Sequence, residues 1–183
     1  MQQGRQIGMC LFAYSTDNTE NNNAYPEGKS STEIFQKLID GNYVTDPAIF
    51  YVSMAGKVKP IAGEKLKPEN VCFDITCCVE ANASDFVPLV FLTGYKVTYA
   101  PGGTAVPIPK ASPFRRSWAQ WWDNEQPPGD WPGIAVFYKG NNAMFVHLDS
   151  SKNPDGTISN FVSPHFDAKG KIYRQLTPDG PLP

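Results

Sequence analysis

Histidine is almost missing from this chain: His147 and His165 are the only two in 183 residues. No Gly-x-Ser-x-Gly, His-Glu-x-x-His, glycine-rich phosphate loop or dinucleotide fingerprint occurs either. The familiar plans for nucleophilic, zinc and phosphoryl chemistry therefore lack their residues. Cys77 or Cys78 with His147 is a nucleophile and base that neighbouring strands would still permit. The carboxylates are scattered, with no spacing that commits two of them to one cleft.

Cysteine is sparse as well, with four in the chain, far below the density of a disulfide-built scaffold. Cys77 and Cys78 are adjacent, which spoils the C-x2-C spacing of a zinc site. On one continuous strand Cys72 and Cys77 face opposite sides, and Cys72 and Cys78 lie roughly 20 Å apart. The pattern predicts buried, unbridged thiols. An excess of either charge is also lacking: 16 Lys+Arg against 18 Asp+Glu leaves −2, no field to gather nucleic acid or an anionic membrane. Nucleic acid is thus excluded as an expected partner. The longest apolar run, Phe86 to Leu92, has Pro88 inside it and is far shorter than the ~20 residues of a membrane helix. Met1 to Gly8 has none of the apolar core of a signal peptide. The chain as it stands reads as soluble, which leaves room for a leader or anchor upstream.

What is present is apolar and turn-rich. Hydrophobic residues make up 41 % and aromatics 13 %, alongside 15 Gly and 17 Pro, a composition for a packed core joined by many loops. The length fits one domain over residues 1–183, able to bury about 70 % of its unfolded surface without staples.

Ile7, Cys10, Leu11 and Tyr14 fall at i, i+3, i+4 and i+7 and predict an amphipathic helix over residues 2 to 16, with Gln3, Arg5 and Gln6 on its other face. No capping residue precedes it, as though the helix once continued upstream. Ser30 with Glu33 three residues later, then Ile34, Phe35, Leu38 and Ile39 and a closing Gly41, predict a second, capped helix. Residues 71–79, 86–92 and 97–99 read as strands, and 134–139 with 143–148 as a hairpin turning on Gly140-Asn141-Asn142. Asn160 to Val162 and Lys171 to Tyr173 are expected to add short edge strands.

Two segments invite a functional reading. Ser112-Pro113 opens a third predicted helix on which Phe114, Trp118, Trp121 and Trp122 share one face. Buried, these rings are core; exposed, together with Trp131, they form a sugar-stacking platform. The spacing favours core. Asp149, Ser151, Asn153 and Asp155 offer alternating oxygens before Gly156, which resembles a calcium loop. Position 160 is Asn where an EF-hand closes on an acidic residue, so the pattern predicts weak calcium binding at best.

Gln6-Ile-Gly-Met-Cys-Leu-Phe-Ala-Tyr-Ser-Thr-Asp-Asn18 followed by Ala24-Tyr-Pro26 resembles the segment after the membrane helix in prepilin-type proteins of type II secretion and type IV pilus systems. Ser31 to Tyr51 looks like the next block of that family, and Ile134 to Gly140 with Ala143 to Val146 like its closing hairpin. The turn departs from the family's Asp-Gly-His, reading Lys139-Gly140-Asn141-Asn142, and the Trp-rich insert 113–132 has no counterpart there. The cleavage motif and apolar half-helix of the class are absent from the chain, so the resemblance implies the soluble part of a pilin-like or pseudopilin subunit without its N-terminal membrane helix. It implies an α+β fold in which the first helix leans on an antiparallel sheet that hides one face and shows the other. It further implies a non-enzymatic role, with other pilin-like subunits and the secretion or pilus assembly machinery as partners. The location implied is the cell envelope, facing the periplasm or exterior, with inner-membrane anchoring before filament assembly. Calcium in a C-terminal loop is a family trait that bears on Asp149 to Asp155. The competing expectation is a secreted or envelope carbohydrate-binding module built on Trp118, Trp121, Trp122 and Trp131.

Overall fold

The computed structural model describes residues 2–21, 24–53, 56–108, 133–147 and 156–182. The molecule is α+β: helices α1 (Gln2–Asp17) and α2 (Ser31–Asp40) accompany an antiparallel sheet of six strands. In chain order the strands are β1 (Phe73–Cys77), β2 (Pro88–Leu92), β3 (Tyr95–Val97), β4 (Ala105–Pro107), β5 (Gly133–Tyr138), β6 (Ala143–His147), β7 (Arg174–Thr177) and β8 (Gly180–Pro181). The large sheet runs β6-β5-β2-β1-β7-β8, while β3 and β4 pair as a separate small sheet.

Helix α1 forms where its periodicity predicts, but its buried stripe is rotated. Gly4, Ile7, Gly8, Leu11 and Ser15 are buried, whereas Cys10 and Tyr14 only flank the core. Ranking positions by apolarity overlooks glycine, whose missing side chain brings the helix backbone close to the sheet. The helix packs on β2 and β5. Near its end Ser15 Oγ donates to Phe12 O at 2.8 Å and Thr16 Oγ1 to Ala13 O at 2.7 Å, so both hydroxyls bond back onto the preceding turn.

Helix α2 keeps its predicted cap: the Ser30 hydroxyl accepts from Glu33 N at 3.1 Å, while the Glu33 carboxylate accepts from Lys29 N at 2.9 Å. Ile34, Phe35 and Leu38 are fully buried, and Phe35 stacks on Phe50 at 4.5 Å between ring centroids. Gly41 donates to Lys37 O at 2.9 Å, but its φ is −84°; the left-handed residue is Asn42, at φ 60°. Ser31 Oγ to Phe73 O and Thr32 Oγ1 to Pro178 O, both 2.8 Å, tie the first turn to the sheet and to the β7–β8 turn.

The sheet departs from the expected half-exposed design. Along β1, Phe73 to Thr76 are all buried. Registers place Ile75, Val90, Phe137 and Leu176 on the face that meets α1 and α2, and Asp74, Phe91 and Val136 on the other. That second face is covered by the β3–β4 sheet and by the C-terminal segment, whose Phe161 meets Phe91 edge-on at 5.4 Å. The expected strand at Asn160–Val162 is instead a turn, with Asn160 at φ 53°, after Ile158 bridges to Ala105 of β4. The expected strand at Lys171–Tyr173 lies three residues further on, as β7, because Lys171 N closes a turn onto Ala168 O. The hairpin turns as predicted, with Asn141 at φ 64°.

Candidate functional site

The residues to which the sequence assigned ligands lie outside the described residues: Trp118, Trp121, Trp122 and Trp131 of the 113–132 segment, and Asp149, Ser151, Asn153 and Asp155 of the proposed calcium loop. The His147 side chain does too, so its pairing with a cysteine has no geometry to test it. Among the described residues no three His, Cys, Asp or Glu side chains gather as a metal-binding group, and no helix is long and apolar enough to cross a membrane.

What the described molecule presents is the outer side of α1. Arg5 and Gln6 are exposed there as expected, and so are Met9 at 55 % and Phe12 at 59 %. These two are one turn apart and form an apolar ridge on the solvent side. Phe12 also borders a groove of about 390 Å³ floored by Gly8 and Phe137 and walled by Tyr25, Asp85 and Lys139. At the sheet margin, Phe145 of edge strand β6 sits opposite Ala135 and shares the helix-side face with it. The sequence signal for this ridge is Phe12 itself, a large apolar residue next to Leu11 but outside the Ile7–Leu11 stripe.

A larger cleft of about 870 Å³ opens where α1 ends, lined by Tyr14, Glu20, Tyr25, Glu27, Lys37 and Glu80. Lys37 is already engaged there, donating to Glu27 O at 2.6 Å and lying 3.7 Å from Glu33.

Beneath the small sheet lies a buried polar cluster that no motif announced. Gln175 Nε2 donates to Asp74 Oδ2 at 2.6 Å and to Tyr95 O at 2.5 Å, and its Oε1 accepts from Val97 N at 2.9 Å. Thr76 Oγ1 meets the Tyr99 hydroxyl at 2.8 Å and donates to Pro88 O. Burial pushes the Asp74 carboxyl up to about 7 and the Tyr99 hydroxyl well above its usual range. Asp74 Oδ1 has no hydrogen-bond partner. Although perturbed acids mark functional sites in general, this one is sealed from solvent. Its visible work is to clip β3 to β1 and β7.

The thiols differ from the expected uniform burial. Cys72 is buried, with its sulfur 3.3 Å from both the N and the O of Val52. Cys77 is half-buried and Cys78 exposed, because β1 ends at Cys77 and the chain turns at Cys78 with φ 64°. Their sulfurs are 3.2 Å apart.

Compared with protein-family models, curated proteins and solved structures, the chain matches none.

Proposed function

We propose that the protein is a non-enzymatic pilin-like or pseudopilin subunit that associates with other pilin-like subunits through α1 and serves a secretion or pilus machinery of the cell envelope. The observation that carries this reading is an exposed apolar ridge on α1 outside its sheet-facing stripe. One side is held against β2 and β5 by Ile7, Gly8 and Leu11, and on the flank beside that stripe Met9 and Phe12 stand in solvent, Phe12 one turn on from Gly8. A helix that only covered a sheet would be polar outside its buried stripe; an exposed apolar ridge beside that stripe is what a second packing contact requires. The first of the blocks of sequence that resemble prepilin-type proteins, Gln6 to Asn18, falls on this helix.

The direct test is genetic. The coding sequence immediately upstream is expected to encode an apolar segment of ~20 residues behind a short basic leader, and its absence overturns the reading. A second test needs only the chain itself. Cysteines placed at Met9 or Phe12, in a background with the native four replaced, are expected to cross-link subunits in cells producing the full-length protein. The same substitution at Val58, exposed but remote from α1 in sequence, should not.

A further inference from the structure

We propose that Cys77 and Cys78 form a redox-active vicinal dithiol, a modification site that disulfide oxidants close to a reversible bond between neighbouring residues. This stands independently of the filament reading. In an extended strand successive side chains point to opposite faces, so adjacent cysteines ordinarily keep their sulfurs well apart. Here the strand stops at Cys77, and Cys78 takes φ 64°, a left-handed conformation that few residues with a β-carbon adopt. The result is a sulfur-to-sulfur distance of 3.2 Å. A residue held in a sparsely populated conformation points to a local purpose, and the consequence of this one is to bring two thiols together.

The environment sets the order of events. Cys78 is exposed and meets the oxidant first. Cys77 is half-buried, and burial with the Cys78 sulfur alongside pushes its thiol up to about 12, although Arg174, its cross-strand partner, pulls the other way. It is a weak initial nucleophile and a well-placed resolving group. The Cys78 thiolate attacks one sulfur of an incoming disulfide such as glutathione disulfide. The oxidant's S–S bond breaks, and the released thiolate takes up the proton that Cys78 gave to solvent. The Cys77 sulfur then attacks Cys78 Sγ of the mixed disulfide, loses its proton, and expels the second glutathione as a thiol. Two protein thiols are oxidised, one disulfide is reduced to two thiols, and the protons balance. Adjacent α-carbons are ~3.8 Å apart, short of the ~4.4–6.8 Å that relaxed disulfides span. The product is therefore strained and easily reduced, which makes it a switch and not a staple. Cys72, buried against Val52, does not compete.

The purified chain, exposed to glutathione disulfide and then quenched with acid, should lose two hydrogens per molecule by intact mass. Peptide mapping should place the bond between Cys77 and Cys78, and excess reduced glutathione should reopen it. Cys77→Ser should instead accumulate a lasting glutathione adduct on Cys78, and Cys78→Ser should slow the reaction at least tenfold. A lasting adduct on Cys78 in the native sequence, a bond to Cys10 or Cys72, or no reaction at all would overturn the proposal. A Cys78→Ser variant as reactive as the native chain would overturn the order of attack.

Discussion

The ring of Phe137 occupies the space that a side chain on Gly8 would need: a β-carbon there would overlap the edge of the Phe137 ring at Cε1 and Cδ1. The contact sets how closely α1 approaches β5. In an open helix, Gly→Ala stabilises by about 1 kcal/mol. Here the ring is 3 % exposed and closely packed, so Gly8→Ala should destabilise by about 1–3 kcal/mol as over-packing. Phe137→Leu should recover part of that loss in the double variant. Urea unfolding of the four proteins in this cycle gives the answer, and a neutral or stabilising Gly8→Ala would show that the helix does not sit as described.

Ser30 offers a cleaner local test, since its hydroxyl accepts a single 3.1 Å hydrogen bond from Glu33 N at the start of α2. Ser30→Ala should cost about 1 kcal/mol and Ser30→Gly only a few tenths. Equal losses from both, read as shifts in the urea midpoint, would mean that the cap is not the source of the effect.

Leu11 is fully buried in the same core as Ile7, Leu38 and Phe50. Leu11→Asp should lower stability by several kcal/mol, because an unpaired carboxylate is added to the lost leucine contacts. Phe12→Asp, one residue away and largely exposed, should stay within about 0.5 kcal/mol of the native chain. Similar melting temperatures for the two variants would contradict the assigned faces of α1.

The contrast between these neighbours shows what periodicity makes legible. Ile7 and Leu11 are spaced for one helix face, and Ser30 with Glu33 is a local pattern that needs no tertiary context; both read directly from sequence. Gly8 did not, because a glycine contributes nothing to an apolar stripe and its meaning lies in Phe137, 129 residues away in the chain. Phe73-Asp74-Ile75-Thr76 also takes its meaning from distant parts of the chain. Its apolar-polar alternation is the pattern of a strand with one wet face, yet the chain lays β3 and β4 over that face and satisfies much of it through Gln175. The Cys77–Cys78 contact was hidden by the assumption that one strand ran through both; a break at Cys78 reverses the conclusion.

Asp74 gives the protein an unusual response to pH. Burial is the main cause of its raised value, about 7 against 3.8 for an ordinary aspartate, with Gln175, Thr93 and Lys57 acting to lower it and Asp179 to raise it. Between about pH 4 and 7 the native state keeps a proton that the unfolded chain has released. Stability from this group is therefore complete below pH 4 and falls as pH rises, by at most about 1.4 kcal/mol per pH unit, until both states are ionised above pH 7. A typical ion-paired carboxylate does the reverse. Asp74→Asn cannot ionise, so the stability difference between variant and native protein should shift steadily in the variant's favour from pH 4 to 7 and then level off. Any fixed penalty from the amide's own hydrogen-bonding needs moves that difference without tilting it, so the slope isolates the carboxyl. Urea midpoints measured at intervals across this range supply it. Parallel curves for the two proteins would mean that Asp74 is ionised throughout, and that the cluster beneath β3 holds a charge instead of a proton.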